Sequence, residues 1–133
     1  YGKVSAPGGL FKGNTSKIGR SVSDKINYIN QGIFNICPEN SPDEGYCTEK
    51  VFQAFEGGTI PLYWGVDIPE RELINLNKYC FCSIENSDTL SEQICAAVEH
   101  PGRYIEGKVF TPNAKDIISG YYSTLKNAII DLL

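Results

Sequence analysis

The chain has 133 residues, 41% of them hydrophobic and 21% charged, with a formal net charge of −4. A domain of this length hides roughly 65–70% of its unfolded surface on folding, so neither a disulfide nor a metal is needed for stability. The acidic balance and the scattered lysines exclude a surface that coats nucleic acid, and no apolar run approaches the ~20 residues that span a bilayer.

Strand and helix signals alternate along the chain, which predicts an α/β fold with a mainly parallel sheet. We expect a short strand at residues 2–6, followed by a loop rich in glycine and proline. A helix should come next, because Val22, Ile26 and Ile29 fall on one helical face and Ser21 or Ser23 can cap it.

The middle of the chain predicts a strand, a polar loop, a helix and a second strand. Residues 33–37 have the pattern of a buried strand, and residues 40–45 are rich in turn formers. Thr48 is the expected N-cap of the next helix, which Gly57 and Gly58 end. The inward-facing residues of that helix are Val51, Phe52 and Phe55. Residues 59–65 predict a strand with Pro61 either near its start or at a position where the missing N–H is not needed.

The C-terminal part predicts one more strand, at residues 79–84, and two helices. The capping box Thr89-x-x-Glu92 opens the first helix and Pro101 stops it, which makes His100 a helix-end residue. Its expected inward residues are Leu90, Ile94, Ala97 and Val98. Asn113 or a neighbour starts the last helix, whose apolar stripe we expect to dock on the core. The stripe comprises Ile117, Tyr121, Leu125, Ile129 and Leu132. A free amphipathic or membrane-lying helix is the alternative, which the scarcity of lysines on the polar face disfavours.

The five cysteines are read as free thiols, because their number is odd and no CxxC pair or histidine stands at zinc-ligand spacing. They are Cys37, Cys47, Cys80, Cys82 and Cys95. Cys80 and Cys82 point to one face of a strand, but two ligands do not make a closed metal site. We therefore predict no metal and no cofactor.

The strand at residues 33–37, the loop after it and the helix that begins near Thr48 predict an anion-binding site. In parallel α/β sheets, ligands collect where strands end, and the next helix offers unpaired N–H groups and partial positive charge. Lys50 would add a full charge, and the Glu49 carboxylate could accept hydrogen bonds from sugar hydroxyls. The alternative is a solvated Glu-Lys surface pair.

Polar residues on either side of the loop add to this pattern. Asn40 and Ser41 follow the strand directly, and Tyr46 stands just before the helix with a phenol that could reach a phosphate. Each of them singly has a structural interpretation, since Asn and Ser form turns and Tyr often covers a core edge. Their combination with Glu49 and Lys50 is what indicates a ligand.

Together these residues make a long motif. Its parts are Glu39-Asn40-Ser41, then Tyr46-Cys47-Thr48-Glu49-Lys50 after four residues, and the strand at residues 59–65. The motif resembles the hallmark of the α-1,3/4-fucosyltransferase family, and the resemblance extends weakly upstream through residues 21–25. Pro38 and Cys47 depart from the family pattern, in which an aromatic or small residue and an aliphatic residue are usual.

The resemblance implies a Rossmann-like three-layer domain, one half of a two-domain glycosyltransferase. Residues 1–133 would be the donor-binding domain, truncated at its N-terminal side, with the acceptor domain absent. The implied contacts to GDP-fucose are Val22, Ser23, Asp24 and Lys25 at the nucleoside and Asn40, Tyr46, Glu49 and Lys50 at the diphosphate and sugars. Glu49 and Lys50 would act in catalysis, whereas Glu39 and Ser41 would shape the loop.

The implied reaction moves fucose from GDP-fucose to a glycan acceptor with inversion, with a general base supplied by the acceptor domain. The chain alone should bind nucleotide weakly and transfer nothing. Two alternatives remain: a non-catalytic nucleotide-sugar-binding module, or a transferase that uses another nucleotide sugar. The protein would be cytoplasmic or peripheral at the inner membrane if bacterial, and in the Golgi lumen if eukaryotic, with membrane association only through parts outside this chain. Free cysteines favour a reducing compartment.

Overall fold

The structure, a computed structural model, describes residues 18–19, 21–66, 70 and 72–132. The strand expected at residues 2–6 lies outside these residues. The elements within them, in chain order, are α1 (Val22–Ile29), β1 (Phe34–Pro38), α2 (Glu49–Glu56), β2 (Ile60–Trp64), β3 (Cys80–Phe81), α3 (Ser87–Glu99), α4 (Gly102–Ile105) and α5 (Ala114–Ile130). A single 3-10 turn, Leu76–Lys78, precedes β3.

The three strands form one parallel sheet in the order β1-β2-β3, which confirms the predicted α/β class. Phe34 pairs with Ile60, and Leu62 pairs with Cys80. Pro61 is the second residue of β2, and β3 pairs with β2 only from Leu62 onward. Because Ile60 donates its N–H to β1, the next residue turns its nitrogen away from β1, to the side where β3 has not yet begun. Proline is therefore tolerated there, as the sequence predicted.

Helices cover both faces of the sheet. Successive strand residues point to opposite sides, so each strand supplies side chains to both faces. One face places Cys37 and Tyr63 against Val51 and Ala54 of α2. The other face places side chains of β2 and β3 against Ala97 of α3, namely Leu62, Trp64, Cys80 and Cys82. This gives the expected three layers. All five cysteines are free thiols.

The two helices near the predicted site begin where the sequence placed them. Ser21 caps α1 in a capping box, in which its hydroxyl accepts from the Asp24 N–H and the Asp24 carboxylate accepts from the Ser21 N–H. Thr48 is the N-cap residue of α2, with extended backbone angles. At the other end of α2, Gly58 has a φ of +71°, which only glycine adopts readily, and this stops the helix before β2.

Three sequence predictions at the third strand and helix need correction. Thr89 does not cap α3; Asn86 does, since its side-chain oxygen accepts from the N–H groups of Asp88 and Thr89. The helix therefore starts three residues earlier than the capping box suggested. The strand predicted at 79–84 is shorter than expected. The Ser83 N–H donates to the Gln93 side chain of α3, so the chain no longer pairs with the sheet at this residue. Val98, predicted inward, is exposed, while Ala97 is fully buried.

The last helix, α5, exists as predicted but its apolar stripe does not dock on the core. Ala114 is buried and Ile117 packs against the core beside α2, yet the rest of the stripe is 51–86% exposed. Those exposed residues are Tyr121, Leu125, Ile129 and Leu132. The periodicity correctly identified an apolar face, but within the described residues no surface covers it. No helix in this part of the chain is long and apolar enough to cross a membrane.

Candidate functional site

The amino end of α2 lies at the edge of the sheet where β1 ends. Between them the chain turns back at Gly45, whose φ of +73° accompanies a hydrogen bond from the Tyr46 N–H to the Asp43 carbonyl, at 3.1 Å. A turn with a positive φ at this position favours glycine. The turn returns Tyr46 to the start of the helix, two residues before its N-cap.

Glu39 is the centre of a buried polar cluster at this edge, and its side chain has no solvent exposure. One carboxylate oxygen accepts from the Thr48 N–H at 2.9 Å. The other accepts from the Thr48 hydroxyl at 2.6 Å and from the Lys50 ammonium at 3.2 Å. Lys50 also donates to the Thr48 hydroxyl oxygen at 3.0 Å. Residues that are separated along the chain are thus fixed together where β1 ends and α2 begins.

The charge state of Glu39 follows from these partners. Burial raises the pKa of this carboxyl, but the hydrogen bonds from Thr48 and the ammonium of Lys50 outweigh burial and hold the pKa below its ordinary value. Behind the carboxylate, burial raises the pKa of the Tyr63 hydroxyl, and the adjacent Cys47 and Glu39 raise it further. Burial likewise raises the pKa of the Cys47 thiol to about 11. Glu39 is therefore ionised at neutral pH, while Tyr63 and Cys47 are neutral.

Thr48 acts differently from the expectation for an N-cap residue. Its hydroxyl accepts no hydrogen bond from a backbone N–H of the first turn of α2, and it donates to Glu39. The first turn of α2 therefore has no side-chain cap. Uncapped N–H groups at a helix start, together with the helix dipole, favour an anion.

The first turns of α1 and α2 lie side by side at this edge. The Lys25 ammonium is 3.9 Å from the Glu49 carboxylate, and both side chains are substantially exposed. Asp24 is committed to the cap of α1, with its carboxylate 2.6 Å from the Ser21 hydroxyl. Val22 and Ser23 are exposed on the same turn.

The structure thus brings the two predicted groups of residues into contact through the Lys25–Glu49 pair. Asn40 and Tyr46 are exposed, Glu49 is exposed, and only Lys50 is half-buried. Glu39 is the residue whose importance sequence reasoning missed. The available signal was its position: a carboxylate directly after a buried strand must find donors, and Thr48 and Lys50 follow on the next element.

Ser41 bonds to the Asp43 carboxylate within the loop, which agrees with the structural role expected of it. His100 is the C-cap residue of α3, as predicted. Among the described residues, no group of three or more His, Cys, Asp or Glu side chains could hold a metal ion.

Comparison with known proteins gives two relatives of the same kind. The α-(1,3)-fucosyltransferase FucT of Helicobacter pylori is 29% identical over 114 residues, covering 81% of this chain and 23% of that protein. A crystal structure of an α1,3-fucosyltransferase superposes with a TM-score of 0.56 and 26% identity, covering 86% of this chain and 36% of that one. The chain is similar to fucosyltransferases. No protein-family model matches it.

The similarity to fucosyltransferases agrees with the motif and confirms the predicted kind of fold. The chain spans about a quarter of the curated relative and about a third of the solved one.

Proposed function

We propose that this chain is the donor-binding domain of an α-1,3/4-fucosyltransferase, which moves fucose from GDP-fucose to a glycan acceptor with inversion. The observation that carries the proposal is the position of the Lys50 ammonium. It is held 3.2 Å from Glu39, at the end of β1 and the start of α2. This is the edge of a parallel sheet at which ligands bind.

The diphosphate of the donor fits the first turn of α2. During transfer, the bond between the anomeric carbon and the β-phosphate oxygen breaks, and its electron pair leaves with GDP. Lys50 and the helix dipole stabilise this growing negative charge. Because α2 lacks a side-chain cap, its N–H groups are free to bind phosphate oxygens.

The sugars and the nucleoside fit the two adjacent first turns. Glu49 is exposed and can accept hydrogen bonds from hydroxyls of fucose or ribose. Asn40 and Tyr46 flank the diphosphate from the loop. Val22 and Ser23 of α1 lie against the nucleoside, next to Lys25.

The rest of the enzyme supplies the acceptor and the general base. The acceptor oxygen forms the new bond to the anomeric carbon, and its proton passes to a carboxylate of the acceptor domain. This chain alone should therefore transfer no fucose. We place the protein in the cytoplasm or at the inner membrane if it is bacterial and in the Golgi lumen if it is eukaryotic, with any membrane association through other parts of the protein.

Titration calorimetry of the complete protein with GDP tests the proposal. Replacing Lys50 by Met removes one charged hydrogen bond to phosphate, which is worth about 1.5–3 kcal/mol, so the Kd should rise roughly 10- to 150-fold. The double variant Glu39→Gln with Lys50→Met should show the same loss without leaving a buried carboxylate unpaired. Circular dichroism checks that each variant is folded.

Lys115→Met is the matched control, because Lys115 is exposed at the start of α5, on another helix. Its Kd for GDP should equal that of the wild type. Equal losses in the two lysine variants would remove Lys50 from the site. Tighter binding of UDP-sugars or GDP-mannose than of GDP-fucose would reject fucose as the transferred sugar.

A further inference from the structure

The Glu39 side chain has no exposed surface, although it is charged and lies beside the proposed anion site. Its own negative charge repels a diphosphate. A buried carboxylate in such a place costs several kcal/mol unless donors surround it. Thr48 and Lys50 are donors of this kind, and their hydrogen bonds reach both carboxylate oxygens.

The direction of these hydrogen bonds is fixed by their donors. Lys50 can only donate, so the Thr48 hydroxyl oxygen accepts from it and must give its own hydrogen to Glu39. Two of the three ammonium hydrogens of Lys50 are used in this way. The third is left for a ligand, and 22% of the Lys50 side chain remains exposed.

We infer that Glu39 is a positioning residue, which holds the Lys50 ammonium in the arrangement that receives the donor diphosphate. The inference rests on the proposed function. A free lysine side chain would have to be ordered when the phosphate binds, and Glu39 orders it beforehand.

The electrostatic and the positioning effects of Glu39 have opposite signs. If charge alone mattered, Glu39→Gln would remove a repulsion and GDP would bind more tightly. If positioning dominates, the same variant weakens GDP binding. Gln has one acceptor oxygen and one NH2 group, so wherever its NH2 points it meets the Thr48 N–H or the Lys50 ammonium. The hydrogen-bonded arrangement cannot survive this substitution intact.

The first measurement is the affinity of the complete protein for GDP and for guanosine. Glu39→Gln should weaken GDP binding roughly 3- to 10-fold, the cost of ordering one long side chain, and should leave guanosine binding unchanged. Glu39→Asp, which keeps the charge, should recover part of the loss. In a Lys50→Met background, Glu39→Gln should have no further effect on GDP.

Unchanged or tighter GDP binding by Glu39→Gln would overturn the inference. Equal losses for GDP and guanosine, or an undiminished loss in the Lys50→Met background, would also overturn it, because they indicate a general structural role.

The second measurement does not need a nucleotide. Acetic anhydride acylates accessible amines, and peptide mass spectrometry gives the rate at Lys50 relative to the exposed Lys115. Glu39→Gln should raise the relative rate at Lys50 several-fold, since its ammonium loses a buried partner. An unchanged rate would reject the positioning role. If the rate rises but the wild type binds no GDP, the proposed function fails while the coupling between Glu39 and Lys50 stands.

Discussion

Thr48→Val isolates the hydroxyl that links Glu39 to Lys50. Valine keeps the shape and the β-branch, so the extended backbone of Thr48, with φ −108° and ψ −174°, remains comfortable. The substitution removes no helix cap, because the Thr48 side chain makes no hydrogen bond to a backbone N–H of the first turn of α2. Any loss of stability then comes from the hydrogen bonds that the Thr48 hydroxyl makes with Glu39 and Lys50.

The expected loss follows from two contacts. The hydroxyl donates to the ionised Glu39 at 2.6 Å and accepts from Lys50 at 3.0 Å. A hydrogen bond to a charged group contributes about 1.5–3 kcal/mol, and Glu39 keeps Lys50 and the Thr48 N–H as partners, so we expect a loss of about 2 kcal/mol. With a urea dependence of about 1.5 kcal/mol per molar, the unfolding midpoint should fall by roughly 1.3 M.

Urea unfolding followed by circular dichroism gives this midpoint. Thr124→Val is the control, because Thr124 is exposed on α5 and its substitution should change stability by less than about 0.5 kcal/mol. A Thr48→Val midpoint within the error of the control would refute the view that the hydroxyl stabilises a buried carboxylate.

Three further predictions concern stability. Folding holds the pKa of Glu39 below its ordinary value of 4.5. The ionised carboxylate therefore contributes fully to folding stability above pH 4.5, and this contribution is lost as the pH falls through the folded pKa. Glu39→Gln should flatten the acid side of a curve of stability against pH. Gly58→Ala forces a side chain into a φ of +71° and should lower stability by about 1–2 kcal/mol. Gly120→Ala, inside α5, should instead raise stability or helix content, by about 0.5–1 kcal/mol. Melting curves of the two alanine variants should therefore shift in opposite directions.

The sequence was sufficient for the strand-loop-helix unit around the site. The signals used there depend on local structure: a buried apolar run, a turn-rich loop, an N-cap threonine and a glycine that ends the helix. The elements β1, α2 and β2 lie where these signals predicted them. The position of Pro61 was predictable for the same reason. Proline has no backbone N–H, so it needs a place in the strand where no hydrogen bond is donated.

The role of Glu39 could not be predicted in the same way. Its partners Thr48 and Lys50 are 9 and 11 residues away, and only the return of the chain through the Gly45 turn brings them to it. From the sequence, Glu39 was expected to shape the loop. The three-dimensional structure adds that its carboxylate is wholly buried.

The errors at α3 and α5 have other causes. Asn86 and Thr89 are both residue types that cap helices. Asn86 is the N-cap in the structure, where its side-chain oxygen accepts from two N–H groups. In α5, periodicity identifies which side chains share a face, but it carries no information about what that face contacts.

The exposed apolar stripe of α5 has a practical consequence for work with this chain. Tyrosine, leucine and isoleucine side chains are exposed to solvent over several turns of α5. An exposed apolar surface of this kind favours self-association as the protein concentration rises. Sedimentation and light scattering of dilute and concentrated samples should therefore differ. Replacing Leu125 by Glu would improve solubility without disturbing the edge of the sheet where β1 ends and α2 begins, which gives a convenient parent for spectroscopy.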